Sequence, residues 1–212
     1  MEVNITWLGH ASFKIEGKGK VIYIDPWKIK EREEADIVLV THSHYDHFSL
    51  EDIEKIRSDK TCFIAPSDVA VKLKGNVKKA KSGDEFSLED VSVKAFPAYN
   101  VGKPYHPRAN GWVGYVVEIE GVSIYHPGDT DFIPEMKDIK PYVALLPIGG
   151  TYTMGVEDAL RAVDVLSPRI VIPMHYGEIV GSVDDAKRFS QKCKVEVKIL
   201  TKGEKFKVEL TE

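Results

Sequence analysis

Three of the seven histidines in the chain lie within six consecutive positions, in the segment Thr41-His-Ser-His-Tyr-Asp-His47. At the end of an extended segment, residues i and i+2 point to the same side, so His42 and His44 are expected to converge on one cation. Asp46 and His47 are predicted on the first turn of a following helix, where they can face a second cation. Imidazoles combined with carboxylates suit Zn²⁺, Mn²⁺ or Fe²⁺ better than Ca²⁺. The segment therefore predicts a site for divalent metals.

Two further residues that could bind metal stand at the ends of other predicted strands. Asp129 follows a glycine in His126-Pro-Gly-Asp-Thr130, and His175 lies in Pro173-Met-His-Tyr-Gly177. Taken alone, each has an ordinary structural explanation, because turns favour Gly-Asp and a single histidine at a strand end is usually structural. Taken together with the histidine segment, both are predicted to join the metal site, where a carboxylate at 129 could bridge two cations.

The elements that would position these residues are short apolar runs separated by Gly, Pro and Asp. Ser49 is predicted to cap a helix whose Leu50, Ile53 and Ile56 share one face. Helices are also predicted over 156–166 and near 182–192. Strands are predicted over 4–15, 21–24, 35–40, 61–65, 91–96, 111–119, 122–125, 143–146, 170–173, 195–200 and 205–210.

The two halves of the chain show a similar order of elements. In each half a strand ends at an Asp-containing turn, a second strand ends in a polar loop, and one helix and one further strand follow. Two such layers packed face to face predict an α/β fold, a four-layer αββα sandwich. Polar residues at the strand ends would then collect along one edge. No linker separates the halves, so residues 1–212 are predicted to form a single domain.

The composition excludes several classes of protein. A hydrophobic fraction of 43% with 29% charged residues argues against disorder, and a net charge of −4 argues against long nucleic acid as a partner. No apolar run approaches the length of a membrane span. The two cysteines, Cys62 and Cys193, are too far apart to indicate a disulfide framework, and Met1 is followed directly by a strand pattern; both favour a cytoplasmic location. Sparse Asn and Gln beside abundant Lys and Glu are typical of thermophiles.

The segments Thr41–His47, Gly128-Asp-Thr130 and Met174-His-Tyr-Gly177 together resemble the metallo-β-lactamase superfamily of metal-dependent hydrolases. The opening Trp7-Leu-Gly-His-Ala-Ser12 looks like the branch that contains ascorbate-phosphate lactonases and an N-acyl phosphatidylethanolamine phospholipase. The resemblance implies the αββα fold and two divalent metal ions, Zn or Mn, with Fe or Ni as further options. The residues that it implies as ligands are His42 and His44 for metal one, Asp46, His47 and His175 for metal two, and Asp129 as the bridge.

One expected ligand has no clear counterpart. The family usually supplies another histidine to metal one from the loop after the strand at 91–96. Here Tyr99 or Asn100 occupies that place, and His106 lies downstream. Two alternatives follow: His106 completes metal one, or it has a substrate-facing or surface role and metal one is held partly by water.

Three further polar residues are assigned roles next to the metals. The resemblance implies that Asp25 orients a ligating histidine, as carboxylates behind metal ligands commonly do. It also favours an active-site position for His10, where the imidazole could polarise the substrate or relay a proton. His126 is predicted to support the ligands from behind. Asp46 and His10 are the candidate catalytic residues.

The predicted function is hydrolysis of an ester-type bond by a metal-bridging hydroxide, because paired divalent ions lower the pKa of bound water towards neutrality. A phosphodiester is the leading substrate. The alternatives are a lactone or carboxylic ester, or metal binding without turnover. The expected partner is a small, anionic molecule, which Gly149-Gly150 would allow close to the backbone. Lys103, Arg108 and Tyr152 either contact it or lie on the solvated surface. Assembly into a homo-oligomer is left open.

Overall fold

Two sheets of seven strands each form the centre of the computed structural model, which describes residues 2–210. The first sheet contains β1 (Val3–Gly9), β2 (Ser12–Gly17), β3 (Lys20–Ile24), β4 (Ile37–Leu39), β5 (Cys62–Ala65), β6 (Asn76–Lys79) and β14 (Lys205–Val208). The second contains β7 (Glu85–Leu88), β8 (Val91–Pro97), β9 (Val113–Ile119), β10 (Val122–His126), β11 (Val143–Pro147), β12 (Ile170–Met174) and β13 (Glu196–Val197). The helices are α1 (Leu50–Ile56), α2 (Ser67–Ala70), α3 (Val156–Leu166) and α4 (Val183–Lys192), with short 3-10 helices at Arg108–Asn110 and Pro134–Asp138.

The two sheets repeat one topology. The first has the order β14-β1-β2-β3-β4-β5-β6 and the second the order β7-β8-β9-β10-β11-β12-β13. In each sheet the first four strands of that order pair antiparallel and the last four pair parallel. The carboxyl ends of the parallel strands therefore meet at one edge of each sheet, which is where α/β proteins place their ligand sites.

The layers follow from the alternation of side chains along the strands. In β4, Ile37 and Leu39 belong to the core shared by the two sheets, whereas Val38 belongs to a second cluster that includes Ile53 of α1 and Val69 of α2. A strand that is buried on both faces has a nearly continuous run of apolar residues, as β4 does. The α/β sandwich predicted from the sequence is confirmed. No helix within residues 2–210 is long and apolar enough to cross a membrane.

Several element boundaries differ from the prediction. The strand predicted over 4–15 is two strands, because Gly9 and His10 have φ values of +106° and +49° and turn the chain between β1 and β2. The strands β6 and β7 and the helix α2 were not predicted. The side chains of β6 and β7 are half-buried or exposed, so these edge strands lack the apolar pattern that marks the central ones.

The helix capped by Ser49 is confirmed, and the Ser49 side chain accepts a hydrogen bond from the Asp52 backbone N–H. Leu50, however, does not share the buried face, since it is 47% exposed. Asp52 does not complete a capping box: its carboxylate accepts hydrogen bonds from the backbone N–H groups of Lys28 and Ile29 instead. A full capping box occurs at α4, between Ser182 and Asp185.

Tyr115 of β9 links the two sheets directly beneath the histidine segment. Its buried hydroxyl donates to the carbonyl oxygens of Val40 (2.9 Å) and Ile64 (3.2 Å), which lie at the ends of β4 and β5 in the other sheet. The loop that begins at Thr41 therefore starts from a strand end that is held by the opposite sheet.

We expect Tyr115→Phe to lower the free energy of unfolding by about 1–2 kcal/mol, because the Val40 carbonyl loses its hydrogen-bond partner in a buried setting. Denaturant unfolding measures this change. Tyr23→Phe is a matched control, since the Tyr23 hydroxyl donates only to a part-buried carbonyl, that of Glu33. Equal losses in both variants would contradict the role given to the link between the sheets.

Candidate metal centre

Six of the seven histidines meet at the edge where the parallel strands end. They come from loops of both sheets. His10 lies in the turn between β1 and β2, and His42, His44 and His47 in the loop after β4; His106 lies between β8 and β9, and His175 directly after β12. Asp46 and His47 belong to the turn before α1, so the prediction that they lie on its first helical turn is wrong; the His47 and Phe48 N–H groups donate to the His44 carbonyl in that turn.

One group of side chains consists of His42, His44 and His106. Each offers a nitrogen atom, and the three nitrogens lie within 4.8 Å of one another. His106 reaches this position because Asn100 holds it: the Asn100 Oδ1 accepts from the backbone N–H and from the Nδ1 of His106, each at 3.0 Å. Of the two alternatives for His106, the surface position does not apply, since its exposed fraction is 1%.

A second group consists of His10, Asp46, His47 and His175, whose ligand atoms again lie within 4.8 Å of one another. The His10 Nε2 is 3.0 Å from the Asp46 Oδ2. This geometry places His10 among the potential ligands as well as beside the predicted catalytic carboxylate.

Asp129 lies between the two groups. Its Oδ1 is 3.1 Å from the His47 Nε2, and its Oδ2 is 3.0 Å from the His175 Nε2 and 3.3 Å from the His106 Nε2. The same Oδ2 is 3.9 Å from the His42 Nε2. One carboxylate therefore contacts histidines of both groups.

Asp25 determines which ring nitrogen donates a hydrogen bond in one histidine of each group, directly for His47 and through Thr41 for His42. Its Oδ2 accepts from the His47 Nδ1 at 2.7 Å and from the Thr41 hydroxyl at 2.6 Å. Because the Thr41 hydroxyl proton is engaged there, its oxygen accepts from the His42 Nδ1 at 3.0 Å. In both imidazoles Nδ1 donates a hydrogen bond, so Nε2 is the nitrogen on the side of Asp129; the His42 Nε2 also lies 3.1 Å from the His44 Nδ1. In metal-binding histidines the nitrogen that does not bind the metal typically donates a hydrogen bond in this way.

Several ligand atoms are buried without a hydrogen-bond partner. Among the described residues they include the His47 Nε2, the His106 Nε2 and the Asp129 Oδ1. They lie close to one another but are not oriented to hydrogen-bond among themselves. A buried polar atom without a partner usually indicates an unseen water or ion. Nitrogen and carboxylate donors converging in this way fit a divalent transition-metal cation.

Burial disfavours the charged form of three of the clustered imidazoles. Burial lowers the pKa of His42 well below its ordinary value and also lowers the pKa of His44 and His10. Burial alone would do the same to His47, but the carboxylates of Asp129 and Asp25 outweigh it and raise its pKa well above that value. A cation that binds the His47 Nε2 therefore competes with a proton, so metal binding should release protons.

The histidine at 126 stands apart from both groups. Its Nε2 donates to the Ala11 carbonyl at 2.8 Å, and its Nδ1 accepts from the Gly128 N–H at 3.1 Å. It thereby ties the turn that carries His10 to the turn that carries Asp129. This contact agrees with its predicted supporting position.

The contacts of three other predicted residues are structural. A Cβ on Gly149 would lie 2.2 Å from the His175 carbonyl oxygen, so this glycine leaves room for the His175 backbone. The Lys103 Nζ contacts Asp131 at 2.6 Å, and the Arg108 guanidinium contacts Glu135 at 2.9 Å. Neither cation lines the cavity beside the histidines.

Trp112 and Thr41 lie against the first group and were not found from the sequence. Trp112 forms a wall against the first group, with its ring centre 5.0, 4.9 and 5.6 Å from those of His42, His44 and His106. Thr41 connects Asp25 to His42. A tryptophan or a threonine does not indicate a metal site in a sequence, and these two meet the histidines only in the folded chain.

A cavity of about 250 Å³ opens onto the two groups. Its lining consists of His44, Tyr45, Asp46, Tyr105, His106, Asp129, Tyr152 and Ile179. A larger hollow of about 370 Å³, behind Trp112 and beside Arg108 and Glu135, contains none of the clustered histidines. The smaller cavity is therefore the candidate substrate site.

Comparison with known proteins identifies the family. Residues 4–175 match the family described as "Beta-lactamase superfamily domain". The chain belongs to the metallo-β-lactamase superfamily. The resemblance inferred from the histidine segment is thereby confirmed, whereas assignment to the lactonase and phospholipase branch stays a prediction.

The superfamily relatives extend over nearly the whole chain. A UPF0173 metal-dependent hydrolase from Methanopyrus kandleri is 35% identical, over 96% of this chain and 99% of that protein. One from Thermococcus kodakarensis is also 35% identical, over 97% of this chain and all of that protein. The structure of a metallo hydrolase from the hyperthermophilic archaeon Ignicoccus hospitalis superposes with a TM-score of 0.86, at 29% identity over the full length of both chains.

We expect Thr41→Val to weaken the binding of one divalent cation by about tenfold or more, because the variant removes the hydrogen bond that orients His42 from behind. Titration of the metal-free protein with Zn²⁺ or Mn²⁺ against a competing chelator measures the affinity. Thr41→Ser keeps the hydroxyl and is the matched control, with an affinity close to that of the wild type. Equal affinities in the two variants would contradict this role.

Proposed function

We propose that this superfamily member is a hydrolase that uses two divalent cations to cleave an ester-type bond in a small molecule. The observation that supports the proposal best is the position of Asp129, which contacts histidines of both groups while its Oδ1 remains without a hydrogen-bond partner. The names of the relatives, metal-dependent hydrolases, point to the same chemistry.

In this proposal His42, His44 and His106 hold one cation, and Asp46, His47 and His175 hold the other. Asp129 is shared, and His10 and Asp25 support the second group. The donor set suits Zn²⁺ or Mn²⁺, with Fe²⁺ or Ni²⁺ as further options. When bound, such cations supply a nucleophilic hydroxide near neutral pH and stabilise negative charge on the reacting oxygens.

The protein's own contribution is to orient ligands and to move a proton. Asp25 and Thr41 keep the Nε2 atoms of His47 and His42 on the side of Asp129. Asp46 and His10, in contact at 3.0 Å, are proposed to pass the proton between the nucleophile and the leaving oxygen. Trp112 and the other buried side chains limit the access of water to the first group.

A phosphodiester is the proposed bond. Two adjacent cations suit in-line displacement at phosphorus, where attacking and leaving oxygens are both stabilised. A phosphodiester carries a single negative charge, and the described residues that line the cavity include no lysine or arginine for a second one. A lactone or other carboxylic ester is the second candidate, because an uncharged substrate also fits a lining without cationic side chains.

We expect chelator-treated protein to lose hydrolytic activity and to regain it with Mn²⁺ or Zn²⁺. The assay is a panel of chromogenic phosphodiesters, lactones and carboxylic esters. Asp129→Ala should lower kcat/KM at least about a thousandfold, because the loss of several kcal/mol of metal-derived stabilisation has that effect. Elemental analysis should show that Asp129→Ala retains less of both cations than the wild type, because Asp129 contacts histidines of both groups.

Asp90→Asn is the control, since Asp90 pairs with Lys18 on the surface. Unchanged turnover by metal-free protein would contradict the hydrolytic mechanism. Full metal loading with no turnover on any substrate class would favour a binding protein instead.

We expect His106→Ala to weaken the binding of one of the two cations and to leave the other nearly unchanged. The reason is that His106 belongs to only one of the two groups, apart from its contact with Asp129. Two-site metal titration provides the measurement, and the unaffected site serves as the internal control. Unchanged stoichiometry and affinity would remove His106 from the ligand set.

A further inference from the structure

The outer wall of the candidate substrate cavity is made of exposed aromatic and apolar side chains. Tyr45, Tyr105 and Ile179 are 68%, 42% and 37% exposed, and Tyr152 completes the rim. Within residues 2–210, Tyr45 and Tyr105 are the two aromatic members of the set of exposed large hydrophobic side chains. Both lie at this one opening, and clustered exposed apolar surface commonly marks a binding site.

These rim residues are fixed to the metal-binding groups by the chain itself. Tyr45 lies between His44 and Asp46 in the sequence, and Tyr105 directly precedes His106. The rings of Tyr105 and Tyr152 pack edge to face, with centres 4.7 Å apart. The Tyr152 carbonyl accepts a hydrogen bond from the Asn100 side chain at 2.9 Å, and Asn100 also holds His106. The rim is therefore positioned by the same contacts that position the proposed ligands.

Two cations near the cavity, Lys103 and Arg108, are already paired. Lys103 contacts Asp131 and the Thr153 carbonyl, at 2.6 and 2.7 Å. Arg108 contacts Glu135 and lies over the Tyr99 ring, 4.9 Å from its centre. A second anionic group on a substrate would therefore find no free cationic partner in the cavity lining.

We propose that Tyr45, Tyr105, Tyr152 and Ile179 form a subsite for an uncharged aromatic group of the substrate, next to the bond that is cleaved. The inference rests on the proposed function, because the metal centre forms the floor of the same cavity. Tyrosine supplies a large, rigid contact surface, and aromatic pairs gain from edge-to-face and offset packing. A volume of about 250 Å³ admits one ring with the reacting group rather than a long chain.

Hydroxamates that bind metals test the subsite without requiring turnover. The metal-loaded protein is titrated calorimetrically with acetohydroxamate, benzohydroxamate and 4-carboxybenzohydroxamate. We expect benzohydroxamate to bind at least about tenfold more tightly than acetohydroxamate, since a phenyl ring buries apolar surface that a methyl group does not. The added carboxylate should bring no further gain.

The rim variants assign the gain to the tyrosines. In Tyr105→Ala and Tyr152→Ala, the preference for benzohydroxamate should fall to about threefold or less, with acetohydroxamate binding within about twofold of wild type. Tyr105→Phe and Tyr152→Phe keep the rings and should keep the preference. These phenylalanine variants are the matched controls.

Equal affinities of acetohydroxamate and benzohydroxamate for the wild type would overturn the subsite alone, and so would a preference that survives both alanine variants. Much tighter binding of the carboxylated ligand would also overturn it, since that outcome requires a cationic subsite. If no hydroxamate binds and the protein retains no metal, the proposed metal centre fails and the subsite fails with it.

Discussion

The burial of unpaired ligand atoms at the junction of the two sheets is the constraint on which the site depends. Each buried polar atom without a partner costs about 1–3 kcal/mol relative to a hydrogen-bonded one. Such atoms occur here on His10, His47, His106, Asp129 and His175. The folded chain tolerates this cost because the two sheets bury a large common core, and the loops at their edge have little freedom to turn these side chains outward.

The backbone at the site is also strained. His10, Asp25 and His175 have φ values of +49°, +47° and +58°, in the left-handed region that non-glycine residues seldom adopt. Conformations of this kind cost on the order of 1–3 kcal/mol each and cluster at functional sites. The turns at His10 and His175 are joined by a hydrogen bond, because the His175 N–H donates to the His10 carbonyl at 2.9 Å. Each turn therefore holds the other, and both direct an imidazole into the second group.

The sequence predicted which side chains come together better than it predicted the edges of the sheets. The spacing of His42, His44, Asp46 and His47, which follow a strand buried on both faces, is a local signal, and the structure brings these residues together. The position of His106 beside His42 and His44 depends on the hydrogen bonds that Asn100 accepts from it, and no local sequence pattern indicates those bonds. The strands β6 and β7 were missed because their side chains are half-buried or exposed, and the break at His10 was missed because the apolar pattern continues through it.

The repeated topology also explains why the site lies between the sheets. Asp25 follows β3 and Asp129 follows β10, and these strands occupy equivalent positions in the two sheets. The equivalent carboxylates nevertheless act differently: Asp25 holds histidines from behind, and Asp129 faces the ligand nitrogens directly. The loops of the first sheet supply four of the six clustered imidazoles, and those of the second supply Asp129, His106 and His175. Neither sheet alone supplies all the residues of either group, so the candidate metal centre exists only where the two sheets are packed together.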